Sequence, residues 1–60
     1  MYQAIYDFAS RTPLELTIHE GELLQIVQMH DNDGNGEWWL AVNNAGQRGY
    51  VPAQYVYKAE

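Results

Sequence analysis

The chain has no cysteine among its 60 residues. That excludes a disulfide framework, a thiolate zinc site and a cysteine nucleophile. Cations are also scarce: Arg11, Arg48 and Lys58 stand against eight acids, for a formal net charge of −5. A nucleic-acid binder needs clustered Lys and Arg to meet phosphates, and none are clustered here. No apolar run approaches the length of a membrane span or a signal-peptide core. Repeats, low-complexity tracts and Pro/Gly/Ser linkers are missing, as is any helical periodicity. What is present is apolar and aromatic. Charged residues make up 18% and aromatics 13%, a balance that argues against intrinsic disorder. A chain this short buries only about 60% of its unfolded surface, so stability must come from packing the 47% hydrophobic residues into a small core. The expectation is one domain over residues 1–60, excised from a larger multidomain cytoplasmic protein.

Alternation is the dominant local pattern. Tyr2, Ala4 and Tyr6 share one side of a β-rich opening, with Gln3 and Ile5 between them. Leu16 and Ile18 alternate with Glu15 and Thr17, and Leu24 and Ile26 alternate with Gln25 and Val27. Trp38 to Val42 and Tyr50 to Val51 are two further β-type runs. Turn signals separate them: Thr12-Pro13, Glu20-Gly21-Glu22, the polar stretch Asp31 to Gly36, and Asn43-Asn44-Ala45-Gly46, which is short enough for a tight hairpin. Five short strands in so small a chain predict an all-β fold, a strongly bent barrel or a pair of orthogonal sheets.

Several motif matches dissolve on inspection. Asp31-Asn32-Asp33-Gly34-Asn35-Gly36 copies the first half of an EF-hand loop, but the twelfth position, which must supply a bidentate Glu, is Val42. The remaining ligands cannot enclose an ion that wants about six to eight oxygens, so the stretch reads as a solvated turn and no metal is expected. Ser10 has no His near it in sequence, and His19 and His30 lack a partner set for zinc. Glu20 and Glu22 flank a turn glycine and should face water. Gly34-Asn35-Gly36 runs into Glu37, which would repel a phosphate. Neither an enzyme nor a cofactor is predicted.

The rings are harder to explain away. Tyr2, Tyr6, Phe8, Trp38, Trp39, Tyr50, Tyr55 and Tyr57 exceed what so small a core can hold. Either they merely cover a thin core or they form a binding surface, for which an apolar body with a polar tip is suited. Adjacent Trp38 and Trp39 on one strand must point to opposite faces, which leaves one of them outside.

Four separated motifs, in order, resemble the Src-homology-3 (SH3) family. Ala4-Ile5-Tyr6-Asp7-Phe8 looks like its opening Ala-Leu-Tyr-Asp-Tyr box. Glu15-Leu16-Thr17-Ile18 with Gly21-Glu22 resembles the acidic-Leu-Ser-Phe stretch and the diverging turn. Trp38-Trp39 matches the Trp pair of the third strand, and Gly49-Tyr50-Val51-Pro52 with Tyr55-Val56 matches the closing signature. The resemblance implies a small five-stranded barrel of two orthogonal sheets, with a short 3-10 turn before the last strand. It also implies a monomeric module that binds proline-rich PxxP segments in the polyproline II conformation. By position, Tyr6, Phe8, Pro52 and Tyr55 would form two proline pockets, with Trp38 dividing them from a third and Tyr50 beside it. Glu15, in the first long loop (the RT loop), and Asp31, Asp33 and Glu37, in the loop before Trp38, would flank that third pocket and hold a ligand Arg or Lys. Ala4, Leu16, Ile18, Leu24, Ile26, Ala41, Val51 and Val56 would form the core.

Departures from the family pattern bear on specificity. Thr12-Pro13-Leu14 fills the RT-loop tip, where many relatives carry a further acid. Phe8 replaces a frequent Tyr, and Gln54 a common Asn. The turn from Met29 to Glu37 is longer than usual, and its stretch into Trp38-Trp39 is similar to SH3 domains of Rho-family exchange-factor scaffolds. Two functions remain open at this point. The groove either binds proline-rich peptides of other proteins or makes a structural, autoregulatory contact with the parent chain or a folded partner.

Overall fold

The computed structural model describes residues 1–59. Five strands, β1 (Tyr2–Ala4), β2 (Leu23–Gln28), β3 (Trp38–Val42), β4 (Arg48–Pro52) and β5 (Val56–Lys58), are joined by loops and one 3-10 turn, Ala53–Tyr55, just before β5. Every neighbouring pair is antiparallel, in the order β4-β3-β2-β1-β5. The two sheets implied by the resemblance meet in β2, which makes one continuous five-stranded sheet. Leu23 and Leu24 pair with β1, whereas Gln25, Ile26 and Gln28 pair with β3. Between Ile26 and Gln28 the register slips, so that Val27 has no partner in β3. An extra residue of this kind bends a strand and increases its twist.

Local chemistry sets the β3–β4 hairpin. The Asn43 side-chain Oδ1 accepts the Ala45 and Gln47 backbone N–H groups at 3.0 and 2.9 Å. Gly46 takes a φ of 81°, a conformation that costs an L side chain but not glycine. The tight turn fixes the register Trp38↔Pro52, Leu40↔Tyr50 and Val42↔Arg48. Because side chains alternate, Trp39, Ala41 and Val51 face one side of this hairpin, and Trp38, Tyr50 and Pro52 face the other.

The core consists of Ala4, Leu16, Ile18, Leu24, Ala41, Val51 and Val56. Ile26, expected among them, is only half-buried; it lies at the register slip and packs against the core rather than within it. The residue pattern is also corrected in two places. Leu16–Ile18 is not a strand: Ile18 bridges Phe8, and Glu15 bridges Tyr50, each as an isolated pair. The alternation there reports burial, not ladder pairing, and the fifth strand is β5. The opening strand ends at Ala4, where the chain bends, and Tyr6 emerges 57% exposed.

The segment around Glu15 lies against β4. Leu16 N–H donates to Tyr50 O at 3.0 Å, and Tyr50 N–H donates to Leu14 O at 2.8 Å. This strap covers what would otherwise be an open sheet edge. The approach depends on Gly49, where an added Cβ would lie 2.7 Å from both Glu15 C and Leu16 N. Among the described residues no helix is long and apolar enough to cross a membrane.

Candidate functional site

Four rings form an unbroken row on the surface. Tyr6 meets Tyr55 at 5.3 Å between centroids, Tyr55 meets Phe8 at 5.9 Å, and Phe8 meets Trp38 at 5.9 Å. All three contacts are edge-to-face, the arrangement that ring quadrupoles favour. The chain that leaves β1 supplies Tyr6 and Phe8, the 3-10 turn supplies Tyr55, and the first residue of β3 supplies Trp38. Phe8 is held by reciprocal backbone hydrogen bonds with Ile18, both 2.9 Å. Asp7 Oδ1 accepts the Glu20 N–H at 2.7 Å, which ties this segment to the following turn. Pro52, opposite Trp38 in the hairpin, and Tyr50, two residues before it, lie on the same face as Trp38. Trp39 points the other way: it packs edge-on against Tyr2 at 5.5 Å, and its Nε1–H donates to Gly36 O.

Trp38 lines two hollows. The larger, about 350 Å³, lies between it, Tyr50, the RT-loop residues Thr12, Leu14 and Glu15, and the β2–β3 loop residues Asp31, Asn32 and Asp33. The smaller, about 200 Å³, is lined by Trp38, Glu37, Pro52, Gln54 and Tyr55. Glu15, Asp31 and Asp33 therefore converge on one hollow, from two loops. Glu37, expected beside them, is directed by the start of β3 to the other hollow. Gln54, at the position of a common Asn, lines that second hollow too.

The β2–β3 loop is braced from within. Asp31 Oδ1 accepts the N–H groups of Asp33 and Asn35, both at 2.9 Å, and Asn35 Oδ1 accepts the Glu37 N–H at 2.9 Å. The Asp-x-Asp-Gly spacing that imitates a calcium loop thus builds a side-chain-capped turn. Tyr50 Oη–H donates to Asn32 Oδ1 at 3.1 Å and fastens the loop to the groove. Ser10 Oγ–H donates to Thr12 O at 2.7 Å, a loop contact rather than a nucleophile's contact with a base.

Residue reasoning missed two members of the site, Asn32 and Arg11. The only signal for Arg11 is its spacing, four residues before Glu15. Glu15 Oε1 accepts the Arg11 backbone N–H at 2.8 Å and its Nε–H at 3.4 Å, while Oε2 accepts from Nη2 at 3.3 Å. The Arg11 backbone N–H is the main influence holding the Glu15 carboxyl below its usual 4.5; partial desolvation opposes it, and the guanidinium assists. The Arg11 guanidinium carbon also lies 5.5 Å from the Trp38 ring centroid and 5.7 Å from that of Phe8, within cation–π range of both.

Comparison with known proteins identifies the fold. The family model described as SH3 domain matches residues 3–53. Dynamin-binding protein of Canis lupus familiaris is 47% identical over 60 residues, all of this chain and 4% of that protein. Myosin-1 of Schizosaccharomyces pombe is 48% identical over 56 residues, 93% of this chain and again 4% of the relative. This chain thus spans only a small fraction of either relative's length. Among solved structures, the SH3 domain of yeast NBP2 superposes with a TM-score of 0.85 at 30% identity, covering 98% of this chain and 95% of that one. Sequence motifs, strand order, the family model and this structural neighbour agree: the chain belongs to the SH3 domain family.

Proposed function

We propose that this domain, a member of a family of interaction modules that generally bind proline-rich peptides, binds a PxxP segment flanked by Arg or Lys. The peptide lies along Tyr6, Tyr55, Phe8 and Pro52, crosses Trp38, and ends with its cation in the hollow formed by Glu15, Asp31, Asp33 and Tyr50. Glu37 contributes a negative charge on the proline side of Trp38. The observation that carries this reading is the unbroken row of rings, from Tyr6 to Trp38, that runs into an acidic hollow. A polyproline II helix is already extended and stiff, so it loses little entropy when its ridges enter the spaces between rings. The domain works as a monomer, as one part of a cytoplasmic signalling scaffold. Its ligands are other proteins' proline-rich segments.

The interface is small, below about 1,200 Å², and a micromolar Kd, about −8 kcal/mol, is expected. The test is a chemical-shift titration of the domain with a basic PxxP peptide and with its scrambled counterpart. Saturable shifts at the Trp38 indole and the Tyr55 and Tyr50 amides are expected for the first peptide only. Equal responses to both, or shifts confined to the opposite face, refute the proposal.

A further inference from the structure

Arg11 stands where a ligand cation would be recognised. Its guanidinium is in cation–π range of Trp38 and Phe8 and is paired with Glu15, an acid facing the larger hollow. The Glu15 side chain is only 13% exposed, while that of Arg11 is 65% exposed, so the acid is covered and the cation covering it remains accessible to water. This is the one ion pair among the described residues. Asp31 and Asp33 face the same hollow from the other loop and have no cationic partner there.

We propose that Arg11 is a specificity-determining residue, a resident cation that masks Glu15 and Trp38 and leaves recognition of the ligand's Arg or Lys to Asp31 and Asp33. The proposal rests on the groove reading above. A ligand cation that reaches for Glu15 must first displace Arg11, whose backbone N–H stays bound to Oε1 in either case. A cation placed one loop further across the hollow meets two unpaired carboxylates instead. The domain therefore selects peptides by how far the basic residue lies from the PxxP core, and not merely by its presence.

The test compares two PxxP peptides, identical except that one carries a flanking Arg and the other norleucine, against the domain and its R11Q, E15Q, R11Q/E15Q, D33N and R48Q variants. Gln at position 15 retains an acceptor for the Arg11 N–H, so the loop keeps its shape. R48Q removes one positive charge at the far end of β4, beside Val42, and controls for net charge. Unmasking is expected to tighten binding of the Arg peptide by about three- to thirtyfold, the range of one exposed ion pair plus one exposed cation–π contact. The norleucine peptide and R48Q should each shift by less than about twofold. E15Q should cost several-fold more in the R11Q background than alone, and D33N should weaken the Arg peptide in the parent domain. A parent domain that binds neither peptide while R11Q binds the Arg peptide overturns the assignment of recognition to Asp31 and Asp33. R11Q equal to R48Q, R11Q weaker for both peptides, or additive R11Q and E15Q effects overturn it while binding itself persists. If neither peptide binds either the parent or R11Q, the groove reading fails and this proposal fails with it.

Discussion

Glu15 shows how one side chain can be set by a backbone contact more than by the opposite charge beside it. Its carboxylate accepts the Arg11 N–H at 2.8 Å, a shorter contact than either guanidinium bond. Both favour the ionised form, so the folded-state pKa lies below the usual 4.5. The linkage follows directly: the stabilisation is fully present above 4.5 and is lost as pH falls through the lower folded value. Side-chain carboxyl shifts followed by NMR through an acid titration should place the Glu15 midpoint below 4.5. In R11Q the midpoint should rise only part of the way back, because the backbone donor remains. A midpoint at or above 4.5 in the parent domain would show that the Arg11 contacts do not hold in solution.

At the scale of elements, the site depends on a strand and a strap lying closer than side chains permit. Gly49 in β4 leaves no room for a Cβ against Glu15 and Leu16, and the atoms in the way are backbone. Gly49→Ala must therefore lift the strap, straining the Leu16–Tyr50 and Tyr50–Leu14 hydrogen bonds and moving Glu15 out of the hollow. Overpacking of this kind costs about 1–3 kcal/mol. Urea unfolding should show that loss; an unchanged midpoint would mean the strap yields freely. The same strap marks where sequence reading stops. Alternation placed Leu16 and Ile18 inside correctly, since burial follows the period of two along the chain. It could not reveal that their backbone partners are Tyr50 and Phe8, because pairing is a non-local choice. β5 was invisible to pattern for the opposite reason: three residues, Val56–Lys58, are too few to alternate. The ring row was legible because its members fall within recognisable motifs. Arg11 and the outward turn of Glu37 were not, since both depend on loop conformations that no periodicity encodes.

For the whole molecule, the hairpin register separates the two duties of this sheet. Ala41 and Val51 go to the core from the same strands that send Trp38, Tyr50 and Pro52 to the groove. Stability and recognition should therefore fail independently. Leu24 is fully buried, and Leu24→Ala should cost about 2–5 kcal/mol. A typical domain has only about 5–15 kcal/mol in total, and one of this size lies toward the lower end, so much of the population would unfold. Trp38 is half-buried and outside the core, and truncation removes its edge contact with Phe8, about 0.5–1.5 kcal/mol, together with the exposed Arg11 cation–π contact. Yet Trp38 lines both hollows, and Trp38→Ala should weaken peptide binding by more than about tenfold, as removal of a central aromatic anchor does. Thermal unfolding and peptide titration on the same two proteins separate the cases. Leu24→Ala should lower its transition midpoint sharply while its folded fraction still binds, and Trp38→Ala should lower its midpoint far less and bind more than about tenfold more weakly. A Trp38→Ala domain that unfolds as readily as Leu24→Ala would place that ring among the core residues, and the groove would then have no divider between its proline and cation sides.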